Sequence, residues 1–401
     1  MSRHSGTITI GLASIAHTYA HLFILLYATV VLALEQEWGL GYDYLFALSI
    51  PATVMFGLGA LPSGWLGDRW SASGMMAIFF FGIGGASILT GFATGPIGIA
   101  AGLTLLGAFA SIYHPVGIPW LVKNAVNRGR ALGINGVFGS FGTAGAAIVA
   151  GALIDLYGWR YAFIVPGVVA VATGCVFVYC IARGLIHEAD GDRAPQPEQS
   201  RGDMKRAFAA LAVTVVCTGL IYQSTSFALP KIFEERLSSL FDGGFAGIAG
   251  LVTLCYLIAG LTQLIGGELA DRYRLKTVYM SCMALQIPVI AVALTLYNMA
   301  LVPVAGLMIA MNVASQPAEN SLMARYTPLA WRSRAFGAKF LLTLGVSSLG
   351  VALIPIIYAF TGSLTGLFFA LIGFAATGTL AAFALPGERP ATAAAAMEAA
   401  E

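Results

Sequence analysis

The chain has 401 residues, of which 58% are hydrophobic and 10% charged, with a formal net charge of +2. Soluble domains carry about 25% charged residues, so a water-soluble enzyme is excluded, as are a disordered chain, a collagen and, with five cysteines, a disulfide-rich secreted domain. Basic residues are spread over short loops rather than gathered in a patch, which leaves nucleic acid without a binding surface and points to a polytopic membrane protein.

A helix crosses the hydrocarbon core with about 20 mostly apolar residues. Twelve such runs occur in order, at 8–34, 42–63, 75–94, 96–122, 131–155, 160–182, 207–230, 244–266, 277–298, 300–323, 335–360 and 364–385. No open sheet edge survives in lipid and the runs are too long for barrel strands, so all twelve are predicted helices. The first run contains His17 and His21 and is nearly twice as long as a signal peptide's apolar core, so a retained helix is expected. The polar stretch 183–206 is predicted to be a linker between an N-terminal half, 1–182, and a C-terminal half, 207–385, with a disordered tail over 386–401.

Placing the N-terminus in the cytoplasm puts nearly every Lys and Arg on that side; Arg160, Lys231 and Arg236 fall on the other, and Lys339 within a span. The positive-inside bias therefore predicts both termini in the cytoplasm of a cell inner membrane. The cysteines fall within spans without metal-ligand spacing and read as packing residues, and no metal site is expected.

The loop after the second run reads Gly64-Trp65-Leu66-Gly67-Asp68-Arg69, and that after the eighth Gly267-Glu268-Leu269-Ala270-Asp271-Arg272, with the Asp-Arg pairs 203 residues apart. After the fourth and tenth runs, Arg128-Gly129-Arg130-Ala131-Leu132-Gly133 and Arg332-Ser333-Arg334-Ala335-Phe336-Gly337 match at an offset of 204. Two matches at half the chain length indicate a duplicated six-helix unit. On these motifs the sequence resembles the major facilitator superfamily of secondary transporters. The resemblance implies an all-α fold of twelve transmembrane helices in two pseudo-symmetric halves. It also implies gating roles for Gly64, Asp68, Arg69, Gly267, Asp271 and Arg272, a cavity lined by helices 1, 4, 7 and 10, and monomeric function. His17-x-x-x-His21 in helix 1 and Ser111-Ile112-Tyr113-His114-Pro115 in helix 4 are similar to the fosmidomycin-resistance group of exporters, which implies export of small toxic compounds against protons.

Ionisable groups at bilayer depth cost about 2.5–3.5 kcal/mol or more and mark function by default. Glu319 is the one acidic residue well inside a run, and Lys339 the one buried cation besides histidine. Asn312, Gln316, Glu319 and Asn320 fall on one face of helix 10, interrupted by Pro317, and Glu319 and Lys339 are expected at similar depth, where they form either a static tie or a working pair. His17, His21, Tyr113 and His114 in the first half are candidates for proton or substrate binding, as are Tyr222, Gln223 and Gln263 in the second. Glycines 133, 136, 139, 142 and 145 read as a close-packing surface of helix 5.

These features predict a proton-coupled carrier of a small organic solute working by alternating access, with export of a drug or toxic metabolite as the leading expectation. Uptake of a small organic anion and a non-transporting receptor or assembly factor are the alternatives. No Walker loop, dinucleotide fingerprint, metalloprotease or nucleophile-elbow motif is present, so neither a cofactor nor an enzymatic activity is expected. The partners are the solute, protons and the bilayer.

Overall fold

The computed structural model describes residues 3–124, 128–186, 200–240, 244–328 and 332–387. Most of the expected linker and tail, residues 187–199 and 388–401, lies outside them, as do the side chains of Arg128, Arg130, Arg332 and Arg334.

Twelve helices are long and apolar enough to cross a membrane: α1 Gly6–Trp38, α2 Tyr42–Arg69, α3 Ala72–Gly91, α4 Pro96–Asn124, α5 Ala131–Tyr157, α6 Tyr161–Ala182, α7 Arg201–Leu240, α8 Phe245–Arg272, α9 Leu275–Thr295, α10 Leu301–Tyr326, α11 Ala335–Thr361 and α12 Thr365–Phe383. Their termini follow local chemistry. Gly39, in the left-handed region at φ 64°, turns the chain out of α1, and Gly362 at φ 66° closes α11 by donating its N–H to the Tyr358 carbonyl. Ser200 caps α7 by accepting from the Asp203 N–H, so this helix begins ahead of the expected 207.

The repeat seen in the sequence reappears in the packing. In the first half α1 packs on α5, α2 on α4, and α3 on α6; in the second, α7 packs on α11, α8 on α10, and α9 on α12. The halves meet along two equivalent seams, α2 with α11 and α5 with α8. In the first seam Gly57 and Gly345 are in backbone contact: a Cβ on Gly57 would lie 2.1 Å from the Gly345 Cα, which no side chain survives. On the opposite face of the bundle, α6 has only 28% of its most apolar window buried and presents Val168, Val169 and Val176 to lipid.

Two spans loosen into π-helix, Tyr113–Gly117 in α4 and Leu341–Val346 in α11. Pro115, lacking an N–H and crowding the preceding turn, accounts for the first. It lies beside Gly64, whose added Cβ would meet the Pro115 side chain at 3.2 Å; nothing stands within 4 Å of the equivalent point on Gly267.

Candidate functional site

Two polar networks stand out in the interior of the described residues, one in each half. In the second half Glu319 is the centre. Its Oε1 accepts from Lys339 Nζ at 2.7 Å, and its Oε2 accepts from Tyr279 Oη at 2.6 Å and Thr218 Oγ1 at 3.1 Å. Lys339 Nζ donates also to Asn320 Oδ1, and Asn312 Nδ2 to the Thr218 carbonyl at 3.2 Å. Carboxylate and ammonium are both buried, so each charge relies on the other and on the hydroxyls around it in place of water. Four helices converge here: α7 through Thr218, α9 through Tyr279, α10 through Glu319 and α11 through Lys339. One face of α10 places Asn312, Gln316, Glu319 and Asn320 as the spacing predicts, but Gln316 turns to α8, where Gln263 Nε2 donates to it at 3.2 Å.

In the first half His17, His21 and His114 come together, one ring nitrogen of each lying within 4.8 Å of the others. His17 Nδ1 donates to the Asn135 carbonyl at 2.7 Å, which in the neutral ring leaves Nε2 as an acceptor, and His21 Nε2 lies 3.2 Å from it. Tyr113 stacks on His17 with ring centroids 4.9 Å apart and accepts from Asn135 Nδ2 at 2.6 Å. Gly139 makes room for this arrangement, since a Cβ there would meet the His17 ring at 2.5 Å. Phe56 of α2 and Phe340 of α11 cover His114, with centroids 5.7 and 5.3 Å away, so this cluster lies against the seam between the halves.

Tyr222 Oη sits 2.9 Å from Thr143 Oγ1 across the seam, and with Thr225, Tyr256, Met308 and Asn312 it lines a small enclosed cavity. Gln223 is buried on α7.

The structure corrects one expectation. Lys231 and Arg236 are not in a loop: α7 runs on past Pro230, and both side chains are 5% exposed. Lys339 is therefore not the one buried cation. Lys231 Nζ donates to Glu35 of α1 and to Glu234, each at 2.7 Å, and stands 4.8 Å from the centre of the Tyr42 ring and 5.4 Å from that of Tyr358. Glu35 is helical because α1 extends to Trp38. Arg236 donates to the carbonyls of Ala293 and Leu296, at 2.9 and 3.1 Å, between the rings of Tyr297 and Phe368. Nearby, Asp155 accepts from the backbone N–H groups of Phe245 and Ala246 at the start of α8, joining α5 to α8 at this end.

At the other end lie the two paired motifs. Asp68 and Asp271 are exposed and make no ion pair among the described residues. Arg69 lies over the Trp65 ring, and Arg272 pairs with Glu268 in its own helix. Glu35 and Lys231 thus tie the two halves together at one end of the bundle.

This architecture and its paired motifs agree with a profile match to the Major Facilitator Superfamily over residues 10–254. The chain belongs to that superfamily. It is 26% identical over 355 residues to the 4-hydroxybenzoate transporter PcaK of Pseudomonas putida, covering 78% of this chain and 77% of that one. Among solved structures it is similar to a D-xylose–proton symporter, with a TM-score of 0.74, 12% identity and 97% and 98% of the two chains covered. A peptide transporter in complex with sulfate aligns with a TM-score of 0.74, 16% identity and coverages of 95% and 94%. An inward-facing bacterial homologue of the lysosomal transporter Spinster aligns at 0.69, with 12% identity and coverages of 96% and 95%. At these identities the solved structures bear on the fold alone. The protein is a multi-pass Major Facilitator secondary transporter of a small solute, not an enzyme.

Proposed function

We propose that this transporter carries a small organic acid together with protons. The observation that carries this reading is the buried Glu319–Lys339 pair at 2.7 Å. A proton arriving on Glu319 neutralises the carboxylate that holds Lys339, and the freed ammonium becomes a partner for the carboxylate of a solute. Proton and anion are then bound in one state and absent in the other, which is the condition for coupled movement. Tyr279 and Thr218 keep the neutral carboxyl hydrogen-bonded, and Asn320 keeps Lys339 in place during the exchange.

The likeness to a 4-hydroxybenzoate transporter supports an organic acid as the solute. Export of a toxic amphiphile, drawn from the fosmidomycin-resistance resemblance, leaves the Lys339 cation without a task. In this reading uptake follows the proton gradient, both termini lie in the cytoplasm, and the closed Glu35–Lys231 end faces outward, as the distribution of basic residues supports.

The test uses proteoliposomes containing a pH-sensitive dye, challenged with aromatic and aliphatic carboxylates, 4-hydroxybenzoate among them, and with cationic drugs. Carboxylate-dependent proton entry is expected. Glu319→Gln, fixed in the neutral form, is expected to keep solute exchange but lose proton-driven accumulation, and Lys339→Ala to lose both. Unchanged pH dependence in Glu319→Gln, or proton flux with cationic drugs alone, would overturn the proposal.

A further inference from the structure

We propose that His17, His21 and His114 form a binding site for a divalent transition cation of the zinc type. The site is separate from the Glu319–Lys339 network and belongs to the first half alone. Three observations converge on it.

The first is spacing. Zn–N bonds of about 2.0–2.1 Å at the tetrahedral angle set two ligand nitrogens about 3.3 Å apart. His17 Nε2 and His21 Nε2 are 3.2 Å apart, because residues four apart on α1 stand on one face. One nitrogen of each of the three rings lies within 4.8 Å of the others, so the third ligand has at most about 1.5 Å to approach.

The second is the outer support of the ligands. A metal-bound imidazole gives its other N–H to a carbonyl or carboxylate, which fixes its tautomer and raises its basicity. His17 does this through Nδ1 to the Asn135 carbonyl at 2.7 Å, and the Asn135 side chain is tied in turn to Tyr113. The nitrogen facing His21 therefore carries a lone pair.

The third is an unmet need. His114 is 5% exposed and its Nδ1 has no hydrogen-bond partner, a cost that the protein bears unless a ligand meets it. Three imidazoles without a carboxylate or thiolate suit a borderline cation rather than Mg2+ or Ca2+, which prefer oxygen. Three protein ligands leave the fourth tetrahedral position free. A bound ion would clamp α1 to α4. Because Phe56 and Phe340 cover His114 from both halves, the ion would enter only as the halves part.

The experiment reads binding, not transport, so its outcome is independent of the organic-acid reading. Full-length protein in detergent, freed of any affinity tag, is equilibrated with Co2+ and then Zn2+ and analysed for metal content, visible absorption and X-ray absorption at the zinc edge. The expected result is one ion per chain, tetrahedral Co2+ bands abolished by Zn2+, and about three imidazole nitrogens at about 2.0 Å. His114→Gln and His21→Gln should each weaken binding at least tenfold. Replacing the two remaining histidines, His4 and His187, should leave it unchanged. Monodisperse wild-type protein that takes up no stoichiometric ion, or a wild-type absorption spectrum with fewer than two imidazoles, overturns the proposal, and neither needs a variant to fold.

Discussion

Lys231 of α7 and Glu35 of α1 are joined across the two halves at 2.7 Å, and Glu234 holds the same ammonium from the other side. The tie bridges the halves at one end of the bundle, and parting that end would break it. A hydrogen bond to a charged group contributes about 1.5–3 kcal/mol, so Glu35→Gln should move the closed-to-open equilibrium about tenfold or more toward opening. Distances between spin labels at the ends of α1 and α7 would report it, and an unchanged distribution would remove the tie from the gating scheme.

The carboxylate of Glu319 and the ammonium of Lys339 should be unequal to either alone. Removing one partner of a buried pair costs about 3–5 kcal/mol because the other stays charged and unmatched. Glu319→Ala and Lys339→Ala are each expected to lower the thermal midpoint in detergent, and the double variant to recover part of the loss. Strictly additive losses would mean that the pair is not coupled.

Arg236 caps the C-terminal end of α9. Its guanidinium closes the free carbonyls of Ala293 and Leu296 and is packed between two rings, a geometry that an ammonium does not reproduce. Arg236→Lys should destabilise the protein by about 2 kcal/mol, seen as a lower midpoint, with solute affinity unchanged in the folded fraction.

Against Gly345, Gly57 leaves no room for a side chain. Gly57→Val should separate α2 from α11, exclude the closed form and stop turnover, while the protein still enters the membrane. Measured turnover near the wild-type level would show that the contact is dispensable.

The spans were legible because hydropathy over about 20 residues is a one-dimensional property, and the repeat because the Asp-Arg loops keep their offset. Glu319 and Lys339 stood out for the same reason: a charge within an apolar run has few explanations. Lys231 and Arg236 did not, since Pro230 followed by charge reads as the end of a helix. In the structure these charges are shielded by protein rather than set in lipid. Thr218 and Tyr279 were missed because neutral hydroxyls in a span carry no pattern. That His114 meets His17 and His21 depends on how α1 and α4 are rotated about their axes, which hydrophobic spacing on such uniformly apolar helices does not encode.

The π-helical turn at Tyr113–Gly117 carries one further consequence. His114 and Glu319 are 205 residues apart, close to the 203 of the Asp-Arg loops, with Pro115 next to the first and Pro317 two residues before the second. The duplicated scaffold thus sets an imidazole and a carboxylate at matching places. A frame with near two-fold symmetry therefore carries different charge chemistry in its two halves, so the likeness of the backbones does not extend to the interior they enclose.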